Sequence, residues 1–476
     1  MEATQERKER QEGDISSVFS SLSGEAAVEL PARFGELKRQ IIGDETNQRS
    51  LVESWSRLTK RLGQAAEEID RKKQNCIPQI TYDELTSPSS SPEVIEAIKT
   101  TGAFVLKNVI DRKVAEEWLS QTKSYIKANP EVKGFPKDDK QVFELYWSKV
   151  QLEARSHPRA LEVQKALLNL FSNSKREGNE DVSTKVALSY ADRLRIRHPG
   201  DARFALGPHA DGGSVERWED PNYRKVYEQI LRGNWENFDP WVIQDRVKAE
   251  QNMYDGPGSC GVFRAFQGWT SLSSTGPNEG TLRVYPLLKE LGAYTMLRPL
   301  FREIRPRSTL TQADYLHSSN WELDMQSTSF PGSPLARCQE YNDNTHPHLE
   351  LNRTMVSMPR VEPGDQAWWH CDMIHSVEST HNGTEPSSVL YIPAVPLTIQ
   401  NIRYIKDQRI NFLKGKPAPD FPGGIGESQF QGRGLDSDIT IKEGRQAMGL
   451  EAFEIPLDLK EGEKILRRKA NEILGF

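Results

Sequence analysis

Cysteine is scarce: Cys76, Cys260, Cys338 and Cys371 are the only four in 476 residues, and no two stand in a Cys-x-x-Cys pair. That scatter excludes a disulfide framework and a cysteine-built zinc site, leaving ordinary reduced thiols. Long apolar runs are missing as well. None approaches the ~18 residues that a membrane span requires, and the opening stretch Met1-Glu-Ala-Thr-Gln-Glu-Arg-Lys-Glu-Arg10 is charged where a secretory signal would be apolar. A cytoplasmic protein is expected, with the sequons Asn352-Arg-Thr354 and Asn382-Gly-Thr384 incidental. Nor does one sign of charge dominate: 62 basic residues face 68 acidic ones, for a net charge of -6 and a pI near 6.0. With no basic footprint and no long block of like charge, neither nucleic acid nor a membrane surface is an expected partner. A small-molecule substrate is the starting point.

What is present is a hydrophobic content of 36% in a chain long enough for one large elaborated domain with accessory helices. Residues 1–85 read as a polar N-terminal extension. Its first thirty or so residues carry no periodicity and are expected to be disordered or weakly helical. Leu51, Trp55, Leu58, Leu62, Ala65 and Ile69 then fall at alternating spacings of three and four, a narrow helical stripe. It suits a helix laid on the main domain, or a short coiled coil making a homodimer. The Ser/Pro cluster between Thr86 and Pro92 marks a linker.

The main domain is expected over residues 91–400. A helix at Glu93–Thr100 leads into a strand at Ala103–Ile110, and helices follow at Lys113–Ala128 and Arg159–Asn173. From Val186 short strands alternate with turn residues: Asp192–Arg197, Gly261–Phe266, Thr281–Tyr285, Asp365–Trp369 and Ser388–Ile392. This pattern predicts a mainly β, α+β fold, a sandwich or barrel with flanking helices. Two long insertions, Ser214–Ser259 and Arg302–Thr354, suit lids or surface subdomains. Residues 401–476 form a C-terminal extension expected to pack on the core.

Three His-x-Asp/Glu patterns occur, at His209-Ala-Asp211, His348-Leu-Glu350 and His370-Cys-Asp372, where chance allows about one, so spacing alone cannot choose. Context separates them. His209 and Asp211 run into Gly212-Gly213, small residues that let backbone and ligand approach a metal. His348 sits in the polar stretch Asn344-Thr-His-Pro-His-Leu-Glu350 and is expected at the surface. His370 and Asp372 lie too close to His375 to complete a facial set, and are assigned a supporting role outside the metal's own ligands. Two histidines and a carboxylate, His209, Asp211 and His375, are the set that holds iron(II) while leaving positions open.

Several ordered landmarks give the chain a wider likeness. They are Ile95-Glu-Ala-Ile-Lys-Thr-Thr-Gly-Ala-Phe-Val-Leu-Lys-Asn-Val-Ile110, His209-x-Asp211, Gly276-Pro-Asn-Glu-Gly-Thr-Leu-Arg-Val-Tyr-Pro286, and Gly364-Asp365 eleven residues before His375. On these the segment from about Ser91 to about Pro396 resembles the non-haem iron, 2-oxoglutarate-dependent oxygenases of the phytanoyl-hydroxylase type. The Trp368-Trp-His-Cys-Asp-Met-Ile-His-Ser-Val-Glu378 and Phe421-Pro-Gly-Gly-Ile-Gly-Glu-Ser428 stretches narrow it to an uncharacterised fungal and bacterial branch. The resemblance implies a double-stranded β-helix, or jelly roll, cupin-like, with His209, Asp211 and His375 on Fe(II). It also implies 2-oxoglutarate as cosubstrate, molecular oxygen as oxidant, and hydroxylation of a small organic substrate as the outcome, an anionic one if the face carrying Arg193, Arg195 and Arg197 meets it.

The resembled group carries an arginine about ten residues past the distal histidine to hold the cosubstrate carboxylate, and here Ser387 and Ser388 stand in its place. Serine cannot supply the bidentate cation. Arg283 is the first candidate to replace it and Arg264 the second. Arg193, Arg195 and Arg197 share one face of a strand and, with Trp218, form the candidate substrate-binding set; a solvated outer face is the alternative for the arginines. Trp235, Trp241 and Trp269 read as core or lid packing, and Trp368 and Trp369 should face opposite sides, one of them inward. Two rival functions remain in view. One is a metal-dependent lyase, hydrolase or isomerase on the same barrel; the other is a degenerate binding module assembled through the Leu51–Ile69 stripe.

Overall fold

The strands gather into two sheets, as seen in a computed structural model that describes residues 15–23, 28–87, 91–172, 181–203, 205–257 and 259–476. The nine-stranded sheet runs in the order β1 (Gln79–Thr81), β2 (Ala103–Lys107), β14 (Gln366–His370), β8 (Phe266–Ser271), β16 (Ser387–Leu397), β6 (Leu194–Arg197), β4 (Val142–Phe143) and β3 (Gly134–Phe135), with β5 (Ser183–Leu188) also paired to β16. The five-stranded sheet runs β12 (Gln339–Glu340), β7 (His209–Ala210), β15 (His375–Val377), β9 (Leu282–Val284) and β13 (Val356–Ser357). A separate hairpin joins β10 (Phe301–Glu303) to β11 (Trp321–Leu323). Among the described residues β1 and β2 pair in parallel and the other named pairs are antiparallel. The fold is thus mixed, two sheets among many helices.

Local chemistry explains where the elements start and stop. The strand expected at Gly261–Phe266 begins instead at Phe266 and runs to Ser271. Its Gly268 lies opposite Trp368, and a Cβ there would sit 2.5 Å from the indole; glycine weakens a strand signal, yet here the bare backbone makes room for the ring. Gly364, at φ +93°, brings its Cα against the Ile110 carbonyl. Asp365 next to it accepts the N–H groups of Asn108 and Glu362 and an ion pair from Lys107, so this Gly-Asp pair locks the turn into β14.

The expected helices form at Pro92–Thr101, Arg112–Ala128 and Pro158–Leu168. Their nearest departure from expectation is the last, which stops five residues early; Asn173 itself lies outside the described residues, as do 88–90 of the Ser/Pro linker and 1–14 and 24–27 of the N-terminal stretch expected to lack order. Asp44 caps the helix Glu45–Lys72 by accepting the Asn47 N–H. All six residues of its stripe are buried. Trp55 stacks on Phe301 and Tyr294, with ring centroids 4.4 and 5.7 Å away, and meets Trp321 and His348 of the second insertion at 5.8 and 5.1 Å, so the stripe is already covered by its own chain. The coiled-coil alternative therefore has no apolar seam to use. At the other end, the helices Ile399–Lys414 and Glu461–Leu474 build a second core with Tyr146, Trp147 and Leu188. No helix among the described residues is long and apolar enough to cross a membrane.

Candidate metal centre and cavity

Strands β7 and β15 are neighbours in the five-stranded sheet, and their register sets His209 directly opposite His375. The two imidazoles lie 4.2 Å apart between centroids. The Nδ1 of His209 is 2.7 Å from the Gly207 carbonyl oxygen and that of His375 is 3.1 Å from the Met373 carbonyl oxygen. A carbonyl accepts only, so each Nδ1 carries the proton and each Nε2 presents a lone pair. Asp211 follows β7 and turns its carboxylate toward both, with Oδ1 3.9 Å from His209 Nε2 and Oδ2 3.8 Å from His375 Nε2. Donor atoms of the three residues all lie within 4.8 Å of one another. Two neutral imidazole nitrogens and a carboxylate, oriented by backbone carbonyls, form a donor set that fits a divalent metal.

Electrostatics agree with that set. Burial would raise the Asp211 carboxyl, but His375, His209, Arg264 and Arg193 together hold it down at about 2. Burial, with the charge of His209 adding to it, lowers His375 to about 3. Near neutral pH the cluster therefore offers the Asp211 carboxylate as an anion and, at His375, a neutral nitrogen donor with no proton to displace.

The triad opens on a cavity of about 690 Å³. Arg193, Arg195, Gln267, Trp269, Trp369, Ser387 and Tyr391 reach it from the larger sheet, and Leu282 and Val377 from the smaller one. Trp369 faces inward, its ring 5.1 Å from that of His375, while Trp368 packs on the other side. Arg264 also lines the cavity, its guanidinium 3.7 Å from Asp211 and 4.0 Å from Asp192 and above the Tyr190 ring.

Other expected residues sit elsewhere. Arg283 points away, because Leu282 beside it takes the inward face of β9; its Nη2 donates to the Met355 carbonyl at 2.7 Å. Arg197 is tied to Asp201 at 2.9 Å and to the carbonyls of Glu378 and Ser379, closing the sheet end instead of meeting a ligand. Trp218 is fully buried under Phe330, its indole N–H donating to Met296. Ser387 lines the cavity and accepts a hydrogen bond from Thr275 at 3.2 Å, and Ser388 turns the opposite way. His348 is buried, contrary to the surface position expected of it. Tyr294, the Leu316 carbonyl and the rings of Trp55 and Trp321 surround it, aromatic neighbours that arrive from three distant segments.

His370 and Asp372 support the centre through the backbone. Asp372 takes a two-pronged contact from Arg246, at 2.6 and 3.0 Å, and the Tyr227 hydroxyl at 2.8 Å. The His370 ring stacks on Phe171, and its Nδ1 accepts the Asp372 N–H. The turn thus fixed carries the Met373 carbonyl that orients His375.

Residues from both chain ends also reach the cavity. Ser17, Val18 and Phe19 line it, with Phe19 edge-on to His209 at 4.8 Å, and Asp420, Phe421 and Pro422 close another side. Cys338 brings its sulfur 3.9 Å from Asp211. None of these carried a sequence signal beyond the Phe421-Pro-Gly-Gly stretch, since their meaning lies in long-range contacts.

Comparison with known proteins gives the ancestry. The Gig2-like family profile matches residues 28–450. This chain belongs to the Gig2-like family. It is similar to the crystal structure of GlcNAc Inducible Gene 2 (DUF1479) from Candida albicans, at 34% identity over 95% of this chain and 97% of the other, with a TM-score of 0.83. A Salmonella typhimurium LT2 structure, provisionally named an oxidoreductase, shares 29% identity over 89% of this chain and 99% of its own, with a TM-score of 0.73. The uncharacterised Escherichia coli K12 protein YbiU is 31% identical over 79% of this chain and 85% of its own length. The match thus takes in both sheets, both insertions and most of the C-terminal extension.

Proposed function

We propose that this member of the Gig2-like family is an Fe(II)- and 2-oxoglutarate-dependent dioxygenase that oxidises a small organic substrate. The observation that carries the reading is the convergence of His209 Nε2, His375 Nε2 and the Asp211 carboxylate on one cavity, both histidines oriented by backbone carbonyls. The strand order supports it. Taking β6–β9 and β13–β16 as eight consecutive strands, the larger sheet orders them sixth, third, eighth, first and the smaller one second, seventh, fourth, fifth, the alternation of a double-stranded β-helix. The oxidoreductase name of the Salmonella relative points in the same direction.

When bound, Fe(II) with 2-oxoglutarate and oxygen supplies the oxidising power, turning the cosubstrate into succinate and carbon dioxide. The chain's residues do the rest. His209, Asp211 and His375 would hold the metal and present it to the cavity. Trp369, Trp269 and Tyr391 wall the space with aromatic surface, and Phe19 covers His209, limiting access of water.

Aerobic incubation of the purified protein with Fe(II), 2-oxoglutarate and a panel of small organic acids should release succinate. His375→Ala should release none. Absence of succinate from the wild-type protein across the panel would sink the reading.

A further inference from the structure

We propose that Arg195, with the hydroxyls of Ser387 and Tyr391, forms a carboxylate-binding subsite on the cavity wall contributed by the larger sheet. On the reading above, which this inference rests on, the ligand is the distal carboxylate of a five-carbon 2-oxo diacid whose other end lies at the metal.

Location comes first. In the β6–β16 register Arg195 is opposite Val389, with Arg197 opposite Ser387. The inward faces of these strands carry Arg195, Ser387, Val389 and Tyr391, all lining the cavity. Arg195 is a cavity-lining cation that is nonetheless only 6% exposed. A guanidinium removed from water is stabilised best by an anion whose two oxygens match its planar fork.

The neighbouring arginines are committed differently. Arg193 contacts Asp192 at 3.4 Å, Arg264 lies between Asp192 and Asp211, and Arg283 lies outside the cavity. Arg195 instead stands among hydroxyls, that of Tyr391 being hydrogen-bonded to it. Arg195, Ser387 and Tyr391 thus bring a guanidinium and two hydroxyls to one stretch of the wall, where an incoming carboxylate meets donors from two paired strands. Ser387, already linked to Thr275, keeps acceptor and donor capacity for the same group.

The test uses the full chain, metal-free and loaded with redox-inert Mn(II), titrated calorimetrically with 2-oxoglutarate, 2-oxovalerate and glutarate. 2-Oxovalerate keeps the 2-oxo acid end and replaces the distal carboxylate by a methyl group; glutarate keeps the carboxylates and lacks the keto oxygen. Wild-type protein should prefer 2-oxoglutarate to 2-oxovalerate by about 10–100-fold, the range for a charge-assisted pair. Arg195→Gln should erase that preference while still binding Mn(II), Arg195→Lys should restore part of it, and Arg283→Gln should leave it intact. Retention of the preference in Arg195→Gln, or its loss in Arg283→Gln alone, overturns the subsite and leaves the oxygenase reading standing. Glutarate binding that depends on Arg195, with no gain in 2-oxoglutarate affinity on adding metal, upholds the subsite and removes the oxygenase reading. If neither diacid binds in any form, the subsite is overturned too.

Discussion

The Nε2 atoms of His209 and His375 face each other because two carbonyls hold the opposite ring nitrogens, and Asp211 completes the set from the same strand end. Removing one nitrogen leaves two donors, too few for a facial site. His375→Ala should therefore lower Mn(II) affinity by at least about 100-fold, beyond the ~10–100-fold typical of losing a supporting group. Equilibrium dialysis with metal analysis checks this, and unchanged retention would show that the metal is held elsewhere. At this scale much was legible: residue type and order singled out the triad. The cation near it was not, since a strand's two-residue period says which residues share a face but not which face turns inward. Leu282 takes the inner side of β9, and Arg283 goes outward with nothing local to announce it.

Among elements, the segment comprising the short turns Ile15–Val18 and Ser20–Ser23 lies across the cavity. Phe19 meets the edge of His209, the Val18 carbonyl accepts the Cys338 N–H at 3.1 Å, and Ser21 hydrogen-bonds Glu340, which pairs with His209 across β12 and β7. A strap built of two short turns rather than a long helix or a sheet strand opens locally without global unfolding. Phe19→Ala should raise the rate of metal loss to a chelator by about tenfold, the equivalent of ~1.4 kcal/mol of docking, with the midpoint of thermal unfolding unchanged. An equal rate would show that metal leaves by another route. The helix Glu45–Lys72 was readable beforehand because its apolar spacing follows the helical period. The strap has no period to read; its apolar residue matters only for what it touches.

Across the whole molecule, Glu427 ties the C-terminal extension to the main body. It accepts the backbone N–H groups of Tyr146 and Trp147 at 2.7 and 2.9 Å and the Tyr125 hydroxyl at 2.9 Å. Burial dominates those hydrogen bonds and raises its carboxyl from 4.5 to about 6. The folded chain thus binds more protons than the unfolded one between these values, so stability contributed below pH 4.5 is lost as pH rises through 6, by about 2 kcal/mol. Asp324 is displaced the other way, to about 2, chiefly by Lys38 acting against burial; its contribution falls away only as pH drops below about 4, clear of that window. His348, His370 and His375, each lowered to about 3 by burial, make stability rise over the same window, so the Glu427 contribution is read as a difference: in denaturant unfolding from pH 4.5 to 6.5, Glu427→Gln should gain up to about 2 kcal/mol relative to the unsubstituted chain as pH rises. A difference between the two chains that stays constant across this range would contradict the assignment.

By itself the sequence determined the chemistry available: three candidate metal ligands in order along the chain, no disulfide framework, strand-rich segments broken by two insertions, and one amphipathic helix. Those properties are local, written in residue type and in periods of two and 3.6. Only the tertiary structure decided that His209 pairs with His375 across β7 and β15, that Arg195 faces the cavity while Arg197 and Arg283 are engaged elsewhere, that His348 is buried, and that both chain ends wall the site. Each of these is set by register and packing between segments far apart in the chain. Such contacts form only when the two sheets close on a shared interior, and no single segment carries their mark.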